Sequence, residues 1–132
     1  MARKMTLREK AARCGSLDSL KRMLARADAH DIYGQANALA EELHRHGNAE
    51  WGDAVFAEST ARRCVNTSVQ DARITINGSH DLAGLRLALY REGLRGVGAR
   101  QGLLATLRRR IRELERMART GASPAGRKGN QA

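Results

Sequence analysis

Residues 104–118 read LATLRRRIRELERMA and carry the most regular pattern in the chain. The apolar positions Leu104, Leu107, Ile111, Leu114 and Ala118 step by three and four residues. This spacing places them on one face of an α-helix. The pattern ends before the three or four heptads that are typical of a coiled coil. The stretch therefore predicts an amphipathic helix that packs its leucines into a globular fold.

The opposite face of this predicted helix carries five arginines: Arg108, Arg109, Arg112, Arg116 and Arg119. At 100° per residue they share an arc of about 100° on the side away from the leucines. Glu113 and Glu115 fall at the edges of that arc. The spacing therefore predicts the pairs Arg109–Glu113 and Glu115–Arg119.

Several of these arginines stand four residues apart, and like charges at that spacing destabilise a helix slightly. A helix face that served only solubility would usually mix the two signs of charge. A face that meets phosphates gains from a single sign, because it releases the counterions of the nucleic acid. A solvated face in an arginine-rich chain is the alternative, and a membrane-surface helix is disfavoured because the apolar face lacks Trp and Phe.

The remainder of the chain shows helical spacing almost throughout and predicts an all-α fold, a compact bundle of about five or six helices. Thr6 and Glu9 match a capping box, and Ser16 is placed to cap the helix that follows. Residues 82–94 are apolar on two sides, which predicts a helix buried at the centre of the fold. Between residues 65 and 77, the alternating β-branched residues and the Asn77-Gly78 turn signal suggest one small β-hairpin or an extended loop.

The segment 95–111 also offers a helix-turn-helix interpretation. Gly102 would lie at the turn, and Arg108 and Arg109 at the start of a recognition helix would reach a DNA groove. A plain phosphate-binding stripe uses the same arginines.

The charge is unevenly distributed along the chain. The net charge is +10, and Arg supplies 20 of the 24 basic residues. Residues 1–26 hold eight basic and two acidic residues, residues 27–79 hold four and eight, and residues 80–132 hold twelve and four. Two basic ends therefore flank an acidic middle, which favours a polyanionic partner. Further candidate contacts near the two ends are Arg3, Lys4, Lys21, Arg22, Arg26, Arg127 and Lys128.

Residues 1–119 are expected to form a single helical domain, and residues 120–132, rich in Gly, Ala and polar residues, a disordered basic tail. No apolar run approaches the roughly 18 residues of a membrane span, and no apolar stretch follows Met1. A cytoplasmic protein is expected. Cys14 and Cys64 stand far apart and His44 and His46 point to different sides of a helix, so neither a metal site nor a cofactor is expected.

The motifs for catalysis are weak. Ser79, His80 and Asp81 contain the residue types of a catalytic triad, but adjacent residues do not give triad geometry. The sequence is therefore interpreted as a nucleic-acid-binding protein, with DNA favoured over RNA, in which the arginine face contacts phosphates and no reaction is catalysed. A DNA-binding transcriptional regulator is one form of this hypothesis. A homodimer through spare leucine surface is also expected.

The alternative hypothesis is a protein-binding module, namely an inhibitor, an adaptor or a helical subunit of a larger complex, encoded by a phage, a plasmid or the host. Its basic face would then meet a partner protein with an acidic surface. Salt separates the two, because phosphate contacts weaken steeply with ionic strength.

Overall fold

The computed structural model describes residues 4–121, which form seven α-helices and one 3₁₀ turn and contain no strand. The all-α prediction is confirmed, with more helices than the five or six expected. In chain order the elements are α1 (Leu7–Ala12), α2 (Leu17–Arg26), α3 (Ala29–Arg45), α4 (Ala49–Val65), α5 (Val69–Gly78), α6 (Leu82–Gly93), the 3₁₀ turn Gly96–Gly98, and α7 (Gln101–Arg119).

Side-chain caps explain where several of these helices begin. Thr6 and Glu9 form the expected capping box, in which each side chain accepts a hydrogen bond from the other residue's backbone N–H. Ser16 caps α2 through the backbone N–H of Ser19. Asp81 caps α6 through the N–H of Gly84. Such caps satisfy N–H groups that have no partner inside the helix.

Helix α4, rather than α6, is the centre of the fold. It packs against α2, α3, α5 and α6, whereas α6 packs against α4 and α7. Val55 joins the core formed with α1, α2 and α3, while Ala61 and Cys64 join a second core formed with α5, α6 and α7. The leucines of α6 suggested a central helix, but most buried positions of α4 are small residues that let its neighbours approach closely.

The hairpin or extended loop expected at residues 65–77 is replaced by the end of α4 and by helix α5. Ser68 caps α5 through the backbone N–H of Asp71, and Ala72 and Ile76, four residues apart, are fully buried. Val65 is the last residue of α4, and the Thr67 hydroxyl donates to the Arg63 carbonyl oxygen. The alternating β-branched residues therefore lie at helix ends and on a helix face.

The contact between α4 and α6 depends on a glycine. A Cβ atom at Gly84 would lie 2.6 Å from Cβ of Thr60, which is closer than real Cβ contacts. Thr60 is β-branched and held in α4, so it has little freedom to move aside.

The Gly84→Ala variant should therefore be less stable by about 1–3 kcal/mol, as for other overpacked core sites. Urea unfolding followed by circular dichroism measures the change. Gly93→Ala is the matched control in the same helix, because beyond its chain neighbours and the adjacent helix backbone no atom lies within 4 Å of the added methyl. Equal stabilities of the two variants would contradict the close contact.

Candidate nucleic-acid interface

Helix α7 lies against α5 and α6 with its leucine face inward. Leu103, Leu107, Ile111 and Leu114 are buried in the core that these helices share. The helix begins at Gln101 rather than near Leu104, so Gly102 lies in its first turn. Only the 3₁₀ turn Gly96–Gly98 separates it from α6. The helix-turn-helix interpretation of residues 95–111 is therefore wrong. The segment before Gly102 is a single 3₁₀ turn, and no first helix of that motif is present between residues 94 and 100.

The five arginines of the outer face, which we call the arginine stripe (Arg108, Arg109, Arg112, Arg116 and Arg119), are all exposed. Arg109 donates from Nη2 to Oδ1 of Asn77 on α5 at 2.9 Å, which leaves its charge uncompensated. Within residues 4–121, the side chains of the other four make no hydrogen bond or ion pair. From Arg108 to Arg119 the stripe extends about 16 Å along the helix axis.

Both glutamates of α7 are paired with arginines outside the stripe. Glu115 accepts from Arg86 on α6 at 2.6 Å, and Glu113 accepts from Arg110. The expected pairs Arg109–Glu113 and Glu115–Arg119 are therefore wrong, because each glutamate turns toward the neighbouring helix or the core side of α7. No acidic residue of α7 remains to neutralise the stripe.

Arg110, which belongs to the same run of three arginines, has a structural role. Its side chain is only 8% exposed and donates from Nη2 to the Ser79 carbonyl oxygen at 2.9 Å. This contact holds α7 to the connection between α5 and α6.

Arg73 on α5 is a basic residue beside α7 that sequence reasoning missed. It is exposed, and its Nε donates to Oγ1 of Thr106 on α7 at 3.4 Å. It extends the positive surface toward the first turn of α7. If residues 69–78 had been predicted as a helix, the spacing of Ala72 and Ile76 would have placed Arg73 beside the buried face. Its contact with α7 could not have been predicted, because that contact joins two helices distant in the sequence.

The basic residues near the amino terminus lie apart from the stripe. Lys21, Arg22 and Arg26 are exposed on α2, which packs in the core of α1, α3 and α4. Lys4 pairs with Asp28 at 3.1 Å and Asp31 at 3.4 Å, and the hydrogen bond with Asp28 raises the pKa of Lys4. Lys4 therefore has its charge compensated within the chain. Arg3, Arg127 and Lys128, with the rest of the expected tail from residue 122, lie outside the described residues.

Two buried carboxylates organise other arginines. Glu58 on α4 accepts hydrogen bonds from Arg62 and from Arg91 on α6, and the hydrogen bonding between Arg91 and Glu58 raises the pKa of Arg91. Glu92, which is fully buried, accepts from the backbone and side chain of Arg100. Those bonds hold the pKa of Glu92 below its usual range in spite of burial.

Arg100 also closes the end of α4, because its guanidinium donates to the carbonyl oxygens of Val65 and Thr67. These networks fix the orientation of α6 and the start of α7, and they belong to the fold rather than to the stripe.

The side chains considered as candidates for catalysis or metal binding have roles in the fold instead. Ser79 accepts from the backbone N–H of Asp81, and Asp81 caps α6. Burial raises the pKa of the Cys64 thiol to about 11, so the thiolate form is disfavoured there. Among residues 4–121, no group of three His, Cys, Asp or Glu side chains is placed to hold a metal ion. No helix of the same segment is long and apolar enough to cross a membrane.

The stripe is therefore a set of exposed guanidinium groups on a rigid helix, with no carboxylate partner in the described chain. Such groups can donate paired hydrogen bonds to phosphate or carboxylate oxygens. Comparisons with protein-family models, with curated protein sequences and with solved structures give no match.

Proposed function

We propose that this protein binds nucleic acid, chiefly through contacts between the arginine stripe and the phosphate backbone. The observation that carries the proposal is that four of the five stripe arginines have no partner among the described residues, while both glutamates of α7 are paired elsewhere. The proposal includes a cytoplasmic location and no catalytic step.

The energetics of α7 favour an anionic partner. Arg108, Arg112 and Arg116 follow one another at four-residue spacing, so the free helix holds like charges side by side. Such pairs cost a few tenths of a kcal/mol each. Phosphates lying along the stripe would remove this repulsion and would also release bound counterions.

The surroundings of the stripe favour duplex DNA over single-stranded RNA. The outer face of α7 carries arginines with Gln101 and Ala105 and no aromatic side chain. The exposed aromatic residues of the described chain, Tyr33, Phe56 and Tyr90, lie on α3, α4 and α6. Single-stranded nucleic acids are usually held by stacking of bases on aromatic rings, whereas a duplex presents phosphates.

The dependence of affinity on salt tests the proposal. Five phosphate contacts predict a slope of about −4.5 for the logarithm of affinity against the logarithm of salt concentration. Affinity for a labelled duplex should therefore fall by about 500-fold between about 50 and 200 mM salt. Fluorescence anisotropy with duplex DNA, single-stranded DNA and RNA measures both the slope and the preference.

The competing function is contact with an acidic protein surface, which would depend less steeply on salt because buried apolar contacts resist screening. Failure to retain duplex DNA at the lower salt concentration, or a slope shallower than about −1, would overturn the proposal.

A further inference from the structure

An apolar groove lies on the side of α6 that faces away from α7. Helices α2 and α6 form its walls and α4 forms its floor, and its volume is about 650 Å³. Leu17 and Leu24 line it from α2, Ala54 and Ala57 from α4, and Leu87 from α6. Volumes of this order are typical of binding sites rather than of packing defects.

The wall formed by α6 is an apolar stripe that is only partly covered within residues 4–121, because Leu87 also packs against the core of α5, α6 and α7. Ala83, Leu87, Tyr90 and Leu94 follow at intervals of four, three and four residues, which places them on one face. Tyr90 is 65% exposed and Leu94 is 66% exposed. An uncovered helix face is usually polar along its middle, so this face has the pattern of a contact surface.

The arginines beside this apolar stripe already have partners within the chain. Arg86 binds Glu115 on α7, and Arg91 binds the buried Glu58 on α4. The opposite wall differs, because Lys21 and Arg22 of α2 line the groove, are exposed and have no hydrogen-bond or ion-pair partner in the described part of the chain.

The exposed carboxylates of Glu50 and Asp53 on α4 also line the groove, and Asp53 is paired with His44 at 3.0 Å. The groove therefore presents an apolar wall on α6 and uncompensated positive charge on α2, with its acidic residues confined to α4.

We propose that this groove binds an amphipathic helix of another protein, with its leucine-type face on α6 and α4 and with acidic residues on the flank that faces α2. The apolar positions from Ala83 to Leu94 run about 16 Å along α6, which matches about three turns of a partner helix. Apolar residues at three- and four-residue spacing are typical of the contacts made by an amphipathic helix that binds in a groove. A compact small molecule in the cavity would leave the strongly exposed Leu94 uncovered, since that residue does not line the cavity.

Composition separates this occupant from the carboxyl-terminal segment of the chain itself. Residues 122–132 contain no apolar side chain larger than Ala and Pro. They could not fill a groove lined by leucines.

Two synthetic helical peptides of about 15–20 residues test the proposal. Both carry Leu at three-four spacing, and they differ only in the flanking residues, which are Glu in one and Lys in the other. In titrations of the full-length protein followed by fluorescence anisotropy, the Glu peptide should bind saturably and about tenfold more tightly than the Lys peptide. Absence of saturable binding, or equal affinities of the two peptides, would overturn the proposal.

Matched variants locate the binding surface. Tyr90→Glu should reduce the affinity of the Glu peptide at least about tenfold, because it places a charge in the apolar wall. Ile74→Glu on α5, also strongly exposed but outside the groove, should leave the affinity unchanged. The double variant Lys21→Glu with Arg22→Glu should reverse the preference toward the Lys peptide.

Two results would contradict the proposed occupant. One is an equal loss of affinity in Ile74→Glu. The other is a dimer in sedimentation equilibrium that Tyr90→Glu converts to a monomer, since a second copy would then cover the groove. Circular dichroism verifies that each variant retains its helix content.

Discussion

Replacement of Arg108, Arg112 and Arg116 by glutamine is expected to weaken binding to duplex DNA by roughly 500-fold at about 0.1 M salt, because each lost phosphate contact removes about a factor of 8 there. The slope of the logarithm of affinity against the logarithm of salt concentration should become less steep by about 3. Fluorescence anisotropy over a salt series measures both values. Glutamine is chosen because its helix propensity is close to that of arginine.

The stability of this triple variant should not fall. The three side chains are exposed and have no partner within residues 4–121, and their removal relieves two like-charge pairs at four-residue spacing. Urea unfolding should show equal stability or a gain of a few tenths of a kcal/mol. A large loss of stability would indicate that these arginines have a structural role.

Two controls separate the site from net charge. Lysines at the same three positions keep the charge, so most of the affinity should remain, reduced only by loss of paired hydrogen bonds. Glutamines at Arg13 and Arg45, which are exposed and unpaired in the described chain but lie outside the stripe, should leave the affinity nearly unchanged. The loss of affinity for each charge removed is then compared between this second control and the triple variant. Equal losses would show that binding depends on the total charge rather than on the stripe.

The pattern in residues 104–118 predicted α7 well because the residues of its buried face and those of its exposed face belong to one continuous helix. Leucines at three-four spacing must turn inward, and the charged residues between them then share the outside. The exposure of the stripe follows from this local geometry. The partners of Glu113 and Glu115 could not be inferred in the same way, since Arg110 bends toward Ser79 and Arg86 belongs to another helix.

Helices α4 and α5 were harder to predict because their stabilising contacts are tertiary. The buried face of α4 contains Ser59, Thr60 and the pair Glu58–Arg62, which are residue types that sequence analysis places outside. The β-branched residues near α5 favour strands by propensity, but packing against α4 and α7 overrides that preference. The groove has the same origin, because three helices distant in the chain form it.

Replacement of Glu58 by glutamine is expected to lower the free energy of unfolding by about 3–5 kcal/mol, as when one partner of a buried ion pair is removed. The Glu58 side chain is 3% exposed and accepts from Arg62 Nε at 2.6 Å. It also accepts from Arg91 through both oxygens, at 2.6 and 2.7 Å. Glutamine would leave the side chain of Arg62, only 10% exposed, without a counter-charge.

The loss should be large because this network joins three helices. Arg62 also donates to the Leu24 carbonyl oxygen at the end of α2, so Glu58 holds together α2, α4 and α6. A loss of 3–5 kcal/mol would be a large part of the roughly 5–15 kcal/mol that stabilises a typical domain. Urea unfolding at neutral pH, followed by circular dichroism, measures it.

The control is Glu41→Gln on α3, where the carboxylate is exposed and has no partner in the described chain, and a change within about 0.5 kcal/mol is expected. A triple variant with Glu58→Leu, Arg62→Leu and Arg91→Met should recover much of the lost stability, because a well-packed apolar set can replace a buried ion pair. If Glu58→Gln were no less stable than Glu41→Gln, the carboxylate would not hold these helices together. A triple variant less stable than Glu58→Gln would show that the backbone contacts of Arg62 matter more than the balance of buried charge.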